Sequence, residues 1–337
     1  MRQVVLNYLR IFRTQTYPAS LCLVMVALLA PNSVFNLWLV AMLFPLVWLL
    51  HGIGFGLNSY LDTIAGFDRR DRSKKGHPLV SGKISMNQAC RVLNWGACLT
   101  AVLGVLVALY AQNPTLALAA FLIYIVFGYS YDCGLSKVDP LSFISISVSF
   151  TAFGAWAWFL SHPSIGLIGI ILLAYIFTTI WFQVGFSGFV KEMGVRERSN
   201  LLIRLGARLG GFMVSKKQGG REYFVPGNSI YYGYGIKLTN LFLGGFLLYL
   251  VFSWQGLVSL LLFGSVALYF LHQLTKHRVY ERDRELLNMS CMEISTIFMP
   301  ILIVVPLVPS LVLMIFSVAY FWICNKALWG VALHPRV

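Results

Sequence analysis

The chain has 337 residues, 58% of them apolar and only 11% charged, a balance that marks an integral membrane protein and excludes a water-soluble domain of this size. At roughly 20 residues per spanning helix, its length holds about nine or ten spans and leaves no room for a large separate soluble domain. The net charge of +14 lies in short juxtamembrane loops mixed with acids, which favours membrane lipid headgroups and phosphorylated ligands as partners and argues against nucleic acid.

Apolar runs of membrane length fall near residues 16–31, 34–58, 87–111, 114–131, 140–161, 164–188, 231–252, 255–274 and 294–324. They predict nine spans in an all-α, polytopic membrane bundle that fills 1–337 as one transmembrane domain. The basic start Met1 to Arg13 is followed by no small-residue cleavage site, so the first span is expected to be retained. All acidic residues sit in or at the edge of the even connections, near 59–86, 132–139, 189–230 and 275–293. The odd connections, around Pro31–Ser33, Gln112–Pro114, His162–Ser164 and Ser253–Gly256, carry no Asp, Glu, Lys or Arg. By the positive-inside rule the amino terminus and the even loops face the cytoplasm. The stretch Arg196–Phe212 reads either as an amphipathic surface helix or as a solvated basic loop. The last run carries Pro300, Pro306 and Pro309 and is a kinked helix or a tight hairpin, which leaves the side of the carboxyl terminus open. Six cysteines stand singly, with no C-x-x-C pair, and read as buried thiols outside any zinc site or disulfide framework.

The chemistry concentrates where the second span ends. Asn58 and Asp62 are four apart and share one helix face; Asp68 and Asp71 follow, three apart. Such oxygen ligands suit Mg²⁺, which takes one or two carboxylates and completes its shell with water and phosphate oxygens. Arg69, Arg70, Arg72, Lys74, Lys75 and His77 are placed to contact a polyanion. A plainer account has the same acids neutralising adjacent cations at a helix end.

From Asn58 to Gly82 the chain resembles the first aspartate-rich motif of the UbiA superfamily of membrane prenyltransferases, N-D-x-x-D-x-x-x-D followed by a basic stretch and P-L-x-S-G. The matching residues are Asn58, Asp62, Pro78, Leu79, Ser81 and Gly82. Ser59 stands where the family commonly has Asp, and Gly66 holds the place of the last acid, with Asp68 preferred over Asp71 as its substitute. The second acidic motif is degraded: Glu192 matches its middle acid, Phe189 and Arg196 replace the flanking ones, and Glu197 lies one place late. Glu192 with Glu197 or Gln183 is a thin oxygen supply for a second metal, and Lys191, Arg196 and Arg198 either meet diphosphate directly or are ordinary positive-inside residues. Tyr129 to Lys137 resembles the family's tyrosine-and-lysine segment, in which Lys137 would reach the diphosphate and Tyr131 the acceptor or carbocation.

The resemblance implies a Mg²⁺-dependent enzyme that moves a polyprenyl group from a prenyl diphosphate to an aromatic or lipid acceptor. The candidate catalytic residues are Asn58, Asp62, Asp68, Asp71 and Glu192, with Asn58, Asp62, Asp68 and Glu192 as metal ligands. Arg72, Lys75, His77, Lys137, Lys191 and Arg196 would hold the diphosphate. The expected location is the plasma membrane of a prokaryote, with the active-site loops cytoplasmic. A cyclase of the same superfamily, acting without an acceptor, and a non-enzymatic lipid-binding or transport protein are the alternatives. Against transport, the acids stop at one surface and do not enter mid-membrane. The Gly52, Gly54, Gly56 series lies inside a span with no strand before it, so it reads as helix packing and not as a phosphate loop.

Overall fold

Helix α2 (Tyr17–Leu28) is buried at every position except Ala19, as expected of a helix that is apolar all round. The other elements arrange themselves about it. The computed structural model describes residues 2–34, 36–70, 74–135, 138, 140–187, 208–212, 221–225, 227–276, 279–280 and 282–330. In chain order the helices are α1 (Arg2–Ile11), α2, α3 (Leu37–Ile64), α4 (Phe67–Arg70), α5 (Met86–Leu109), α6 (Pro114–Cys133), α7 (Leu141–Ser161), α8 (Leu167–Phe182), α9 (Gly227–Leu250), α10 (Trp254–Lys276), α11 (Arg282–Val304) and α12 (Leu307–Trp329). The long helices pack on their chain neighbours around a ring, and α12 returns to α2, which also touches α7 and α11. Among the described residues eight helices are long and apolar enough to cross a membrane, or nine when α1 and residues 14–28 count as one span bent by 54°. Helix α9, of similar length, is not among the eight and carries the buried Lys237 and Asn240.

Local signals set several boundaries. The Asn36 side chain accepts from the backbone N–H groups of Trp38 and Leu39 at the start of α3. Ser85 and Gln88 form a reciprocal capping box on α5. Asn113 accepts from Leu116 N with Pro114 in the first turn of α6. Between α1 and α2 the chain turns at Arg13, whose φ of 47° and ψ of 41° are left-handed, followed by a 3₁₀ turn Thr14–Thr16.

Three expectations need revision. The run 294–324 is two helices: α11 already begins at Arg282 and ends before the Val305–Pro306 turn. Proline disfavours a helical residue before it, and the Ser310 hydroxyl lies within hydrogen-bond distance of the Val305 carbonyl at the break, 3.0 Å away. Much of the expected loop 275–293 is therefore helix, with Glu285 fully buried within α11. Residues Arg208–Phe212, the end of the expected amphipathic helix, form strand β1, paired antiparallel with β2 (Arg221–Phe224), which pairs with β3 (Val279–Tyr280). Gly210 and Gly211 within β1 are poor helix formers, and residues 196–207 lie outside the described residues. The sheet ties the sixth connection to the eighth. Finally, Arg10 Nε donates to Leu328 O at 2.9 Å and its guanidinium lies over the Trp329 ring, so α12 ends on the face of the bundle that carries α1.

Candidate active site

Helix α3 runs toward the face with the charged connections and delivers Asn58 and Asp62 one turn apart at its end. There they border a cavity of about 410 Å³ walled by α3, α5, α6, α7 and the end of α8. Asp68 of α4, Lys74 just beyond it, Arg13 of the α1–α2 turn and Asp132 near the end of α6 line the same end. Deeper, the lining changes to Leu50, Ile53 and Phe55 of α3, Ala97 and Ala101 of α5, Tyr124 and Ile125 of α6, and Ile146 and Phe150 of α7. The cavity is thus ionic at one end and aliphatic or aromatic along its length, the shape of a site for a ligand with a charged head and an apolar tail.

Charge pairing organises the ionic end. Lys74 Nζ lies 2.6 Å from Asp68 Oδ1, with side-chain exposures of 14% and 4%. Asp68 Oδ2 is buried and makes no hydrogen bond among the described residues. Asn58 Nδ2 donates to Asp132 Oδ1 across the α3–α6 wall at 3.0 Å. The Arg13 guanidinium sits over the Phe55 ring at 5.3 Å, within electrostatic reach of Asp68, Asp62 and Asp132. Its carbonyl is held by Thr16 Oγ1 at 2.8 Å and faces His51 Nε2 at 3.3 Å, while His51 Nδ1 meets Ser20 Oγ at 2.8 Å. His51 is accordingly a satisfied histidine that braces the Arg13 turn. Burial and the Arg13 charge push Lys74 below the usual lysine range, with Asp68 and Asp62 pulling it back. Burial, Lys74 and Arg13 push His77 down to about 4.

Of the residues selected from sequence, Asn58, Asp62, Asp68, Lys74, Tyr131 and Gln183 line the cavity. Arg69, Lys75 and His77, selected as polyanion contacts, do not, and Arg69 is exposed. Lys75 is exposed and absent from the lining, because the turn after α4 directs its neighbour Lys74 inward to Asp68. His77 is buried and held neutral, with Ser81 Oγ donating to its carbonyl, and it also stands away from the lining. Asp71, Arg72, Lys137, Lys191, Glu192 and Arg196 lie outside the described residues. Arg13 and Asp132 are cavity residues that the motif did not indicate; the only trace of Arg13 in the sequence is a cation closing the basic segment before an apolar run.

At the opposite wall α8 continues as a π-helical turn, Gln183–Ser187, a distortion that often re-aims side chains at functional sites. Gln183 and Val184 face the cavity, and Gln183 Nε2 donates to Glu293 Oε2 of α11 at 3.2 Å. Behind this wall Lys237 Nζ donates to Thr296 Oγ1 at 2.9 Å and lies 4.1 Å from the centre of the Phe182 ring.

No group of three His, Cys, Asp or Glu side chains among the described residues forms a metal cage. The set Asn58, Asp62 and Asp68 instead suits a cation such as Mg²⁺ that shares its shell with water and a ligand's phosphate oxygens. The buried, unsatisfied Asp68 Oδ2 is the kind of oxygen such an ion would engage.

Residues 19–207 match the profile of the UbiA prenyltransferase family. Among solved structures, a UbiA homologue from Archaeoglobus fulgidus bound to DMAPP and Mg²⁺ superposes with a TM-score of 0.61 at 13% identity, covering 96% of this chain and 99% of that one. The same homologue bound to GPP and Mg²⁺ gives 0.58 at 14% identity, covering 96% and 100%. A digeranylgeranylglyceryl phosphate synthase gives 0.59 at 18% identity, covering 89% and 99%. At these identities the likeness speaks for the fold. No curated protein sequence matches the chain.

Proposed function

We propose, from the fact that the chain belongs to the UbiA prenyltransferase family, that its cavity takes a polyprenyl diphosphate head-first and passes the prenyl group to an aromatic or lipid acceptor. The observation that carries this reading is the polarity of the cavity: three carboxylates, Asn58, Arg13 and Lys74 at one end and apolar walls along the rest. The solved homologue takes DMAPP or GPP with Mg²⁺, ligands with the same division between diphosphate and hydrocarbon.

In this reading Asn58, Asp62 and Asp68 hold Mg²⁺, with Asp71 and Glu192 as further acids near the head. When bound, the ion neutralises charge that builds on the leaving diphosphate. Arg13 offers a fixed fork of N–H donors to the diphosphate. Lys74 exchanges its contact with Asp68 for the departing phosphate oxygens, and Arg72, Lys137, Lys191 and Arg196 complete the basic surround. As the allylic carbon–oxygen bond breaks, these preorganised charges stabilise pyrophosphate in a site that the apolar walls keep dry. Phe55, Tyr124 and Phe150 are aromatic residues of the lining, and aromatic quadrupoles favour a developing cation. Tyr131 is the hydroxyl at the ionic end suited to orient an acceptor. The site opens to the cytoplasm, following the distribution of lysine and arginine.

The test is pyrophosphate release from geranylgeranyl and longer prenyl diphosphates by purified protein, with and without Mg²⁺, comparing wild type with Asp62→Ala. Release that needs both the ion and Asp62 supports the reading, and a prenylated acceptor in the labelled organic products completes it. A cyclised hydrocarbon would replace transfer by cyclisation. No release from any donor, with membrane lipid extract supplied as acceptor source, would sink the enzyme reading in favour of lipid binding or transport.

A further inference from the structure

Asp132 has no place in the aspartate-rich motif, yet it lines the ionic end of the cavity beside Asn58. The two residues are 74 positions apart and belong to different walls, α6 and α3, and Asn58 Nδ2 donates to Asp132 Oδ1 at 3.0 Å. A primary amide has two unlike ends: its NH₂ only donates, its carbonyl only accepts, and a hard cation takes the carbonyl alone. An asparagine free to rotate about its last side-chain bond offers either end. A carboxylate accepts only, so Asp132 fixes which end of Asn58 faces α6 and turns Oδ1 the other way. Asp62 lies one turn further along the same face of α3. Arg13 also lies within electrostatic reach of Asp132.

We propose that Asp132 is a positioning residue: it pins the Asn58 amide with its carbonyl presented for divalent-cation binding, and it acts through Asn58, not as a ligand. This rests on the reading of the cavity as a metal–diphosphate site. Residues that orient a metal ligand from behind contribute about 10- to 100-fold in metal affinity, and two residues that act as one unit are non-additive.

The experiment is a titration of the full chain in detergent with Mn²⁺ alone, followed by loss of the free-ion electron paramagnetic resonance signal. The proteins are wild type, Asp132→Leu, Asp132→Asn, Asn58→Ala and the Asn58→Ala/Asp132→Leu double variant, each checked for an intact melting transition. Asp132→Leu weakens Mn²⁺ by about 10- to 100-fold. Asp132→Asn keeps an oxygen that accepts from Asn58 and weakens it less, which also covers the case in which the leucine variant fails to fold. In the Asn58→Ala background, Asp132→Leu adds nothing further. Mn²⁺ affinity of Asp132→Leu within twofold of wild type overturns the proposal, as does a double variant in which the two losses multiply. Wild type that binds Mn²⁺, loses it on Asp132→Leu and yet releases no pyrophosphate defeats the transferase reading alone. Pyrophosphate release with Mn²⁺ affinity indifferent to Asp132 defeats the positioning role alone, and wild type with no Mn²⁺ binding defeats both.

Discussion

Replacing Lys74 by methionine tests whether the ionic end of the cavity is held together by its charge pairs. The substitution keeps the length of the side chain and deletes the ammonium 2.6 Å from Asp68 Oδ1. Removing one partner of a buried ion pair costs about 3–5 kcal/mol, because the other charge is left without compensation. Asp68 is 4% exposed and Lys74 14%, and Arg13 stays within reach of the stranded carboxylate, so the low end, about 3 kcal/mol, applies. At about 2 °C per kcal/mol for a large chain, the melting temperature in detergent, read by tryptophan fluorescence, falls by about 6 °C. Asp68→Asn in the same molecule removes the stranded charge and recovers most of the loss. Adding Mg²⁺ raises the melting point of Lys74→Met more than that of wild type, since both oxygens of Asp68 are then open to the ion and binding to the native state stabilises it. A Lys74→Met protein that melts like wild type without metal, or a double variant no more stable than Lys74→Met, would refute the reasoning.

Arg13→Ala is expected to lower pyrophosphate release by about 100-fold, the usual cost of deleting a preorganised donor to a developing anion; an unchanged turnover number would remove Arg13 from the site. Gly104→Ala puts a methyl group into the fully buried Phe121 ring that packs on α5, and overpacking of this kind costs about 1–3 kcal/mol. Gly235→Ala meets open space and is neutral or stabilising by up to about 1 kcal/mol, so the two melting curves move apart. With His77 held neutral down to about pH 4, the unfolded chain binds the extra proton first as pH falls below about 6.5. Stability is therefore fully present above about pH 6.5 and falls by roughly 3 kcal/mol on the way to about pH 4. His77→Gln should flatten melting temperature against pH in that window, and an unaltered slope would rule His77 out as its source.

The starts of α5 and α6 fall within a residue of the apolar runs that begin at 87 and 114. Hydropathy placed them so well because the groups that close these ends, Ser85 with Gln88 and Asn113 with Pro114, lie within one turn of the apolar run. The final pair of helices was not legible, because three prolines fall in that stretch and local sequence does not say which one breaks it. Pro300 is accommodated inside α11 and Pro309 sits in the first turn of α12, where its missing N–H costs nothing. The break falls before Pro306, where the Ser310 hydroxyl lies within hydrogen-bond distance of Val305 O. Likewise Asn58 and Asp62 were legible as one face of one helix, whereas Arg13 and Asp132 reach the site from other elements, at separations no spacing rule covers. Lys74 and Lys75 are alike to any reading of composition. The turn after α4 places the first against Asp68 and the second in solvent.

The central place of α2 bears on how such a bundle assembles. Lipid tails are as apolar as leucine, so a span gains little by exchanging lipid for helical neighbours. Hydrophobicity inserts α2 but does not centre it. Its address is written in specific contacts: Tyr17 OH donating to Phe44 O of α3 at 2.9 Å, Ser20 against His51, and Cys22 Sγ 3.3 Å from Ser317 Oγ of α12. The last of these partners is made only when nearly the whole chain has been synthesised. Helix α2 is therefore among the last elements to be locked, when α12 closes over it.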